Sequence, residues 1–207
     1  MLERPKRRRE TTVERLLDAA LETFADVGFA AASIEDICGR GGFTRGAFYS
    51  SFATKDELFA ALIARECRRD MVRAEALLAD LSTEADPVAA AVDRCMEVFR
   101  QDRAWTLVSA EYTLHAARHP EAAALLAGAR ERVYALLVDT IERLAAAAGI
   151  GLTVPAADLA RAVSALHEGT SMHQLTGPAG DGLERASLLL LLRGATPPSS
   201  TTAHRES

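Results

Sequence analysis

What the sequence lacks restricts the classes of protein to which it can belong. No apolar run approaches the roughly 20 residues that a membrane-spanning helix needs, and the longest leucine block, residues 188–192, has only five. The basic N-terminus is not followed by the apolar region of a secretory signal peptide. We therefore predict a cytoplasmic protein without membrane contact.

Cysteines and β-branched residues are also few. The three cysteines, Cys38, Cys67 and Cys95, are odd in number and lack the spacing of a zinc site, so we interpret them as reduced thiols. Alanine, leucine, arginine and glutamate are abundant instead, and this composition favours helices. The sequence predicts an all-α protein of about nine helices, with no cofactor.

The net charge of −5 conceals an uneven distribution. Residues 1–55 carry nine cations and eight anions, a net charge of +1, whereas residues 56–207 carry fifteen cations and twenty-one anions, a net charge of −6. Five of the cations lie within residues 4–9. We predict a flexible basic arm over residues 1–10, which either lies along nucleic acid or is a solvated terminus.

Start and stop signals predict four helices in the first part of the chain. Apolar residues spaced three and four apart predict a first helix from Val13 to near Gly28. Three hydroxyl residues then occupy N-cap positions: Ser33, Thr44 and Thr54. Acids three residues after the first and last of these suggest capping boxes. The helix that begins after Thr54 is predicted to continue toward Leu81.

The remainder of the chain is predicted to be helical until its last residues. Helices are predicted at about residues 87–101, 103–118, 120–148, 156–176 and 181–194. Residues 195–207 are predicted to form a disordered tail. The leucine block at 188–192 is apolar on every side of its helix, which favours burial on more than one side, within the chain or against a partner subunit.

The segment GGFTRGAFYSSFATKDEL, residues 41–58, is the least ordinary part of the sequence. Gly41 and Gly46 have the spacing of a phosphate-binding loop, but Ala47 and Phe48 occupy the places of its lysine and hydroxyl residue. A dinucleotide fingerprint fails too, because no strand precedes the glycines. The remaining alternatives are a helix-turn-helix and an ordinary corner between short helices.

A helix-turn-helix gives these residues distinct roles. Its apolar side is predicted to consist of Phe43, Phe48 and Phe52. Arg45, on the first turn of the second helix, is then placed to bond guanine O6 and N7. Hydroxyls of four residues suit phosphate oxygens, namely Ser33, Thr44, Tyr49 and Ser51. Lys55 begins its helix, where a phosphate would balance its charge.

Residues 12–62 resemble the DNA-binding domain of the TetR family of transcriptional regulators. The pattern is carried by Leu17, Ala20, Phe24, Gly28, Phe29, Ser33, Ile34, Ile37, Gly42, Phe43, Thr44, Gly46, Phe48, Tyr49, Phe52, Lys55 and Leu58. The resemblance implies that five residues face DNA and two contact phosphates: Arg45, Gly46, Ala47, Ser50 and Ser51, then Tyr49 and Lys55. It further implies a helix-turn-helix domain at 11–57 and a helical ligand-binding and dimerisation domain at 58–194.

The segment RAWTLVSAEYTLHAARHPE, residues 103–121, resembles part of many TetR-family ligand domains. Residues that would line a pocket between helices, or simply form the core, are Phe99, Trp105, Tyr112, His115, Tyr134, His167 and Met172. Glu111, His115 and His119 share one helix face, but no second ligand group accompanies them, and no metal site is predicted.

The function expected from these features is that of a DNA-binding regulator and not of an enzyme. The family resemblance implies a homodimer formed through the last two helices, which binds a palindromic operator in double-stranded DNA and is released by an unknown small molecule. Two alternatives remain open at the level of sequence. One is a DNA-binding structural or division-control protein without an inducer, and the other is a helical enzyme that uses His115, His119 or His167.

Overall fold

The computed structural model describes residues 4–98, 103–177 and 182–197. These ranges contain nine α-helices and no strand, which confirms the predicted all-α class. The helices are α1 (Arg4–Val27), α2 (Ile34–Gly41), α3 (Arg45–Tyr49), α4 (Lys55–Leu77), α5 (Pro87–Val98), α6 (Arg103–Ala116), α7 (Pro120–Ala148), α8 (Ala156–Gln174) and α9 (Leu183–Ala195). None of them, within the described ranges, is both long and apolar enough to cross a membrane.

Helix α1 begins earlier than predicted. It starts at Arg4, so residues 4–10 are helical and the predicted flexible arm is wrong for them. Arginine, lysine and glutamate are good helix formers, and a proline such as Pro5 is tolerated in a first helical turn. A run of like charge was therefore a poor indicator of flexibility. Residues 1–3 lie outside the described residues.

The predicted caps of α2 and α3 are confirmed. The Ser33 Oγ accepts a hydrogen bond from the Asp36 N–H at 3.1 Å, and the Asp36 carboxylate accepts one from the Ser33 N–H at 3.0 Å, which completes a capping box. The Thr44 Oγ1 accepts from the Ala47 N–H at 3.2 Å. These bonds satisfy amides that the first helical turn leaves without a partner.

Helix α4 differs from its prediction at both ends. Thr54 caps the Glu57 N–H at 3.0 Å as predicted, but the Glu57 carboxylate accepts from the Ala53 N–H, one residue before the cap. The helix ends at Leu77, and a separate 3₁₀ turn follows at Leu81–Thr83. The apolar pattern extended the predicted helix too far because Leu81 is buried, with 3% of its surface exposed, but does not belong to α4.

The chain divides into two compact units. In the first, the described residues are 4–69, 103–133 and 171–177, so it extends beyond the helix-turn-helix segment predicted at 11–57. Aromatic side chains fill its core. Phe59 stacks on Tyr112 with ring centroids 3.9 Å apart, and Phe29 meets Tyr112 edge to face at 4.8 Å. Helix α6 therefore shares one core with α1, α2, α3 and the first part of α4.

The described residues of the second unit are 70–98, 134–170 and 182–197. Its α5 and α9 are joined by two ion pairs, Asp93 with Arg185 at 2.6 Å and Asp86 with Arg193. Residues 195–197, predicted to start a disordered tail, are placed here, and the Ala195 carbonyl accepts from the Thr153 N–H at 2.9 Å. Residues 198–207 of that tail lie outside the described residues.

The leucine block of α9 is buried on one side within the chain. Leu188 is 1% exposed, whereas Leu190 is 76% exposed and Leu183 is 43% exposed. Among the described residues, α9 is therefore not covered on every side. Leu183 and Leu190 are seven residues apart, a spacing that places them on the same helix face.

Candidate nucleic-acid interface

A tight turn connects α2 to α3. Gly42 has a φ of +69°, in the left-handed region that glycine adopts without steric cost. The Phe43 N–H then donates to the Cys38 carbonyl at 2.8 Å, which closes the end of α2. Because Thr44 caps α3 immediately afterwards, the two helices are joined in the manner of a helix-turn-helix.

One face of α3 is buried, and the other is exposed and carries several small side chains. Phe48 is 0% exposed and Phe52 8% exposed, as predicted, while Phe43 is half-buried beneath the Arg15 guanidinium. Arg45, Gly46 and Ser50 are exposed, Tyr49 is 49% exposed, and Ala47 is half-buried.

Gly46 is not needed by the fold itself. Among the atoms described, a Cβ built on Gly46 would meet just one within 4 Å, the Thr44 Oγ1 at 3.8 Å. The space beside this glycine is therefore open. A helix with this profile can approach a surface outside the chain, such as the floor of a DNA major groove, more closely than one with larger side chains.

Arg45 is the exposed cation at the start of α3. Its Nη1 lies 2.8 Å from the Glu35 Oε1 on α2, and its guanidinium carbon lies 6.0 Å from the Tyr49 ring centroid. A hydrogen bond with Tyr49, together with the charge of Glu35, raises the pKa of Arg45. The guanidinium is therefore a permanent cation and suits the guanine-reading role predicted for it.

Three of the hydroxyls predicted to face DNA or to contact phosphates differ in what they already bind. Ser33 donates to the Asp36 carboxylate at 2.6 Å, and Ser50 donates to the Ala47 carbonyl at 2.7 Å. Phosphate oxygens only accept hydrogen bonds, so both hydroxyls would first have to give up an internal bond. Thr44 uses its oxygen as an acceptor. Of these three hydroxyls, Thr44 is therefore the best placed to donate to a phosphate.

Two of the predicted DNA-contacting side chains, Lys55 and Ser51, are directed into the chain. The Lys55 ammonium donates to the carbonyls of Phe29 at 2.6 Å and Ala32 at 2.8 Å, and it lies 4.4 Å from the Phe29 ring centroid. Burial lowers the pKa of Lys55. The Ser51 Oγ is buried within the chain and does not face outward. Sequence position alone could not show that Lys55 bonds two loop carbonyls or that the Ser51 hydroxyl is buried.

Glu111 has a structural role that the sequence did not predict. Its Oε2 accepts from the Phe29 N–H at 2.7 Å, across 82 positions of the chain. Gly28, with a φ of +81°, allows this approach, because a Cβ there would lie 2.9 Å from the same carboxylate oxygen. Glu111 and Lys55 together hold residues 28–33, the α1–α2 loop, from two sides.

The Glu111, His115 and His119 side chains are engaged separately. The His115 Nε2 lies 3.2 Å from the Asp56 Oδ1, and its ring stacks on His119 with centroids 4.1 Å apart. The His119 Nδ1 lies 2.8 Å from the His115 carbonyl oxygen. These contacts, with the Glu111–Phe29 bond, give each of the three side chains a partner in the fold.

The residues predicted to line an effector pocket are divided between the two units. Trp105, Tyr112, His115 and Met172 lie in the first unit, and Tyr134 and His167 in the second. Phe99 lies outside the described residues. Tyr112 is 0% exposed and stacked on Phe59, so it packs in the core of the first unit. Burial next to the Asp56 carboxylate raises its pKa, which keeps the phenol protonated.

The other pocket candidates have varied surroundings. Trp105 is half-buried and stacks on Phe59 at 6.1 Å, and Met172 is 48% exposed. Tyr134 lies below the Arg161 guanidinium, 5.8 Å from it. The His167 Nδ1 lies 2.7 Å from the carboxylate of Glu184, which is 2% exposed. Trp105 and His115, two of the candidate effector contacts, lie on α6, the helix that also carries Glu111.

A capped helix-turn-helix on an all-helical scaffold defines the class of protein, a helix-turn-helix transcriptional regulator. Residues 16–62 match the family described as bacterial regulatory proteins, tetR family. Residues 84–195, more than half of the chain, match the C-terminal domain of BetI-type transcriptional repressors. The chain belongs to the TetR family of bacterial transcriptional regulators.

Individual relatives agree with this assignment. A helix-turn-helix-type transcriptional regulator of Mycobacterium bovis is 33% identical over 87 residues, which are 42% of this chain and 45% of the relative. The match thus spans less than half the length of that curated relative.

Two solved structures share the fold. A TetR-family regulator from Mesorhizobium loti superposes with a TM-score of 0.69 at 18% identity, covering 92% of this chain and 99% of that one. A regulator from Saccharomonospora viridis, in complex with choline, superposes with a TM-score of 0.61 at 22% identity, covering 91% and 100%.

Proposed function

We propose that this protein is a homodimeric repressor that binds a roughly palindromic operator and is released from it by a small molecule. The observation that carries the proposal is the exposed face of α3. Gly46 has open space beside it, and Arg45 and Tyr49 flank it with an exposed cation and an exposed phenol. In this proposal Arg45 reads a guanine and Tyr49 and Thr44 contact phosphates.

The exposed side of α9 supports dimerisation. Leu190 and Leu183 lie on one face of the helix and are 76% and 43% exposed in the single chain. A second copy that packed on α8 and α9 would bury them, and burial of apolar surface favours association. A dimer would then present two α3 helices to half-sites about 34–36 Å apart.

The contacts of α6 support a route for release. Glu111 on α6 holds the α1–α2 loop, and His115 faces Asp56 at the start of α4. Trp105 and His115, two of the candidate effector contacts, lie on the same helix. A ligand that shifted α6 would therefore act on the loop that leads into α2. The ligand can lower the affinity for DNA only to the extent that it binds the released arrangement of the protein more tightly than the DNA-bound arrangement.

Similarity to known proteins supports the regulatory part of the proposal. The C-terminal match is to repressors, and the Saccharomonospora viridis regulator of the same fold is in complex with a small organic molecule. A regulator that acts on operator DNA works in the cytoplasm. The genes beside the recovered operator identify the regulated genes and narrow the class of effector.

The experiment that tests the proposal is selection of bound genomic DNA fragments, followed by measurement of their affinity for variants. Arg45→Ala combined with Tyr49→Ala is expected to abolish enrichment, because it removes the base reader and a phosphate contact. Arg73→Ala is the matched control, since Arg73 is also exposed and paired with one acid, Asp70, at 3.3 Å. Unchanged binding by the double variant would overturn the assignment of α3.

A further inference from the structure

Glu35 lies in the first turn of α2 and contacts the start of α3. Its Oε1 is 2.8 Å from the Arg45 Nη1, and the two side chains are 55% and 61% exposed. Sequence patterns predict a base-reading role for Arg45 and none for Glu35. The carboxylate nevertheless adjoins the side chain on which sequence recognition is proposed to depend.

The pair between Glu35 and Arg45 has little effect on folding, because solvent screens exposed ion pairs. Its main consequence is local. The Arg45 guanidinium is held between the Glu35 carboxylate and the Tyr49 ring, whose centroid is 6.0 Å from the guanidinium carbon. An arginine side chain without such neighbours samples many rotamers and loses that freedom on binding.

The direction of the Arg45 guanidinium determines what it can read. A guanidinium carries five N–H donors, so one ion pair through Nη1 is compatible with a two-bond contact to guanine O6 and N7. An arginine that swings away can instead bind phosphate oxygens, which are the same in every sequence. The negative Glu35 carboxylate disfavours the approach of a phosphate to this guanidinium.

We propose that Glu35 is a specificity-determining positioning residue, which holds the Arg45 guanidinium toward a base edge and keeps it from binding phosphates. This inference rests on the proposed function, in which α3 enters the major groove. Glu35 acts through Arg45 and not through a contact of its own with DNA. Its effect therefore requires the arginine.

The test compares affinities for two duplexes of equal length, one enriched by the wild-type protein from a randomised pool and one of scrambled sequence. Glu35→Gln is expected to lower the ratio of the two affinities by about five- to tenfold. The loss arises chiefly from tighter binding to the scrambled duplex, with a steeper salt dependence, because Arg45 then reaches phosphates. In an Arg45→Ala background the same substitution leaves the ratio unchanged.

Two further variants separate position from charge. Glu35→Asp keeps the charge but shortens the side chain, so it lowers the ratio if the position of the carboxylate is what matters. Glu22→Gln is the matched control, since Glu22 is 65% exposed and lies 3.6 Å from Arg40, a pair that does not involve α3. It is expected to raise both affinities by the same factor.

The inference is overturned if Glu35→Gln changes both affinities equally, or changes their ratio equally with and without Arg45. It is also overturned if Glu35→Asp behaves as the wild type does. Failure of the proposed function is recognised separately. In that case the wild-type protein enriches no sequence, or Arg45→Ala alone leaves the ratio unchanged.

Discussion

The α3 face and the α1–α2 loop lie in the same compact unit and use similar residues in opposite ways. On α3, Gly46 has open space beside it and Arg45 is 61% exposed. In the loop, Gly28 has a carboxylate against it, and Lys55 is committed to the Phe29 and Ala32 carbonyls. In one place a glycine and a cation are open to an external partner, and in the other a glycine and a cation are used by the fold.

This difference shows which polar groups are available for recognition. A cation whose donors are used by backbone carbonyls holds a loop, and moving it to DNA would leave those carbonyls without partners. A guanidinium that pairs with one exposed carboxylate through Nη1 has further N–H donors that can reach a new partner without breaking that pair. The predictions that follow test this contrast, in order of decreasing effect.

The largest effect is expected from Gly46→Leu. A Cβ at this position meets no described atom closer than 3.8 Å, and glycine is a poor helix former, so the stability of the fold is expected to be unchanged or slightly higher. Affinity for the enriched duplex is expected to fall on the order of 100-fold or more, because a leucine separates α3 from the base edges. Gly39→Leu is the control, as Gly39 also has open space but lies on α2. Equal losses in both variants would contradict a specific role for the α3 face.

The next effect is expected from Gly28→Ala, in the loop. Its φ of +81° is unfavourable for alanine, and the new Cβ would lie 2.9 Å from the Glu111 Oε2. The free energy of unfolding, from chemical denaturation, is expected to fall by about 1–3 kcal/mol. Gly149→Ala supplies the comparison, since Gly149 has a φ of +66° but no atom of the described residues within 4 Å. If the two substitutions cost the same, the Glu111 contact has no effect on stability.

Lys55→Met is expected to act on the fold and not on phosphate binding. It keeps most of the apolar stem but removes the two hydrogen bonds to the loop carbonyls, at a cost of about 1–2 kcal/mol in the free energy of unfolding. The salt dependence of DNA binding is expected to stay the same. A shallower salt dependence with unchanged stability would instead support the contact between Lys55 and a phosphate that the sequence predicts.

The smallest effect is expected from Ser51→Ala. The hydroxyl is buried, with no hydrogen-bond partner among the described residues, so its removal changes the free energy of unfolding by less than about 0.5 kcal/mol or increases it. DNA affinity is expected to be unchanged. Ser50→Ala provides the neighbouring comparison, because the Ser50 hydroxyl is exposed and donates to Ala47. Weaker DNA binding by the Ser51 variant alone would contradict its inward placement.

The local structure of the helix-turn-helix could be predicted because its signals are local. The Ser33 capping box, the Thr44 cap and the inward Phe48 each depend on spacings of a few residues. Spacing alone was not sufficient at Thr54, where the Glu57 carboxylate bonds the residue before the cap.

The parts that could not be predicted depend on distant contacts. Nothing near Lys55 in the sequence indicates that its ammonium reaches Phe29 and Ala32, and Glu111 lies 82 positions from the amide that it binds. The contact between Glu35 and Arg45 could not be predicted for a similar reason. An acid in a first helical turn is explained by the helix dipole alone, and its pairing with Arg45 requires the turn geometry.

The central claim is that the exposed face of α3 reads DNA, and the most direct measurement is base preference in a randomised duplex pool. The wild-type protein is expected to enrich an inverted repeat whose half-site centres lie about 10 base pairs, or a multiple of that, apart. Arg45→Ala is expected to lose the preference for one guanine in each half-site and keep the others. Enrichment of the same motif by both proteins, or of none by the wild type, would contradict the account.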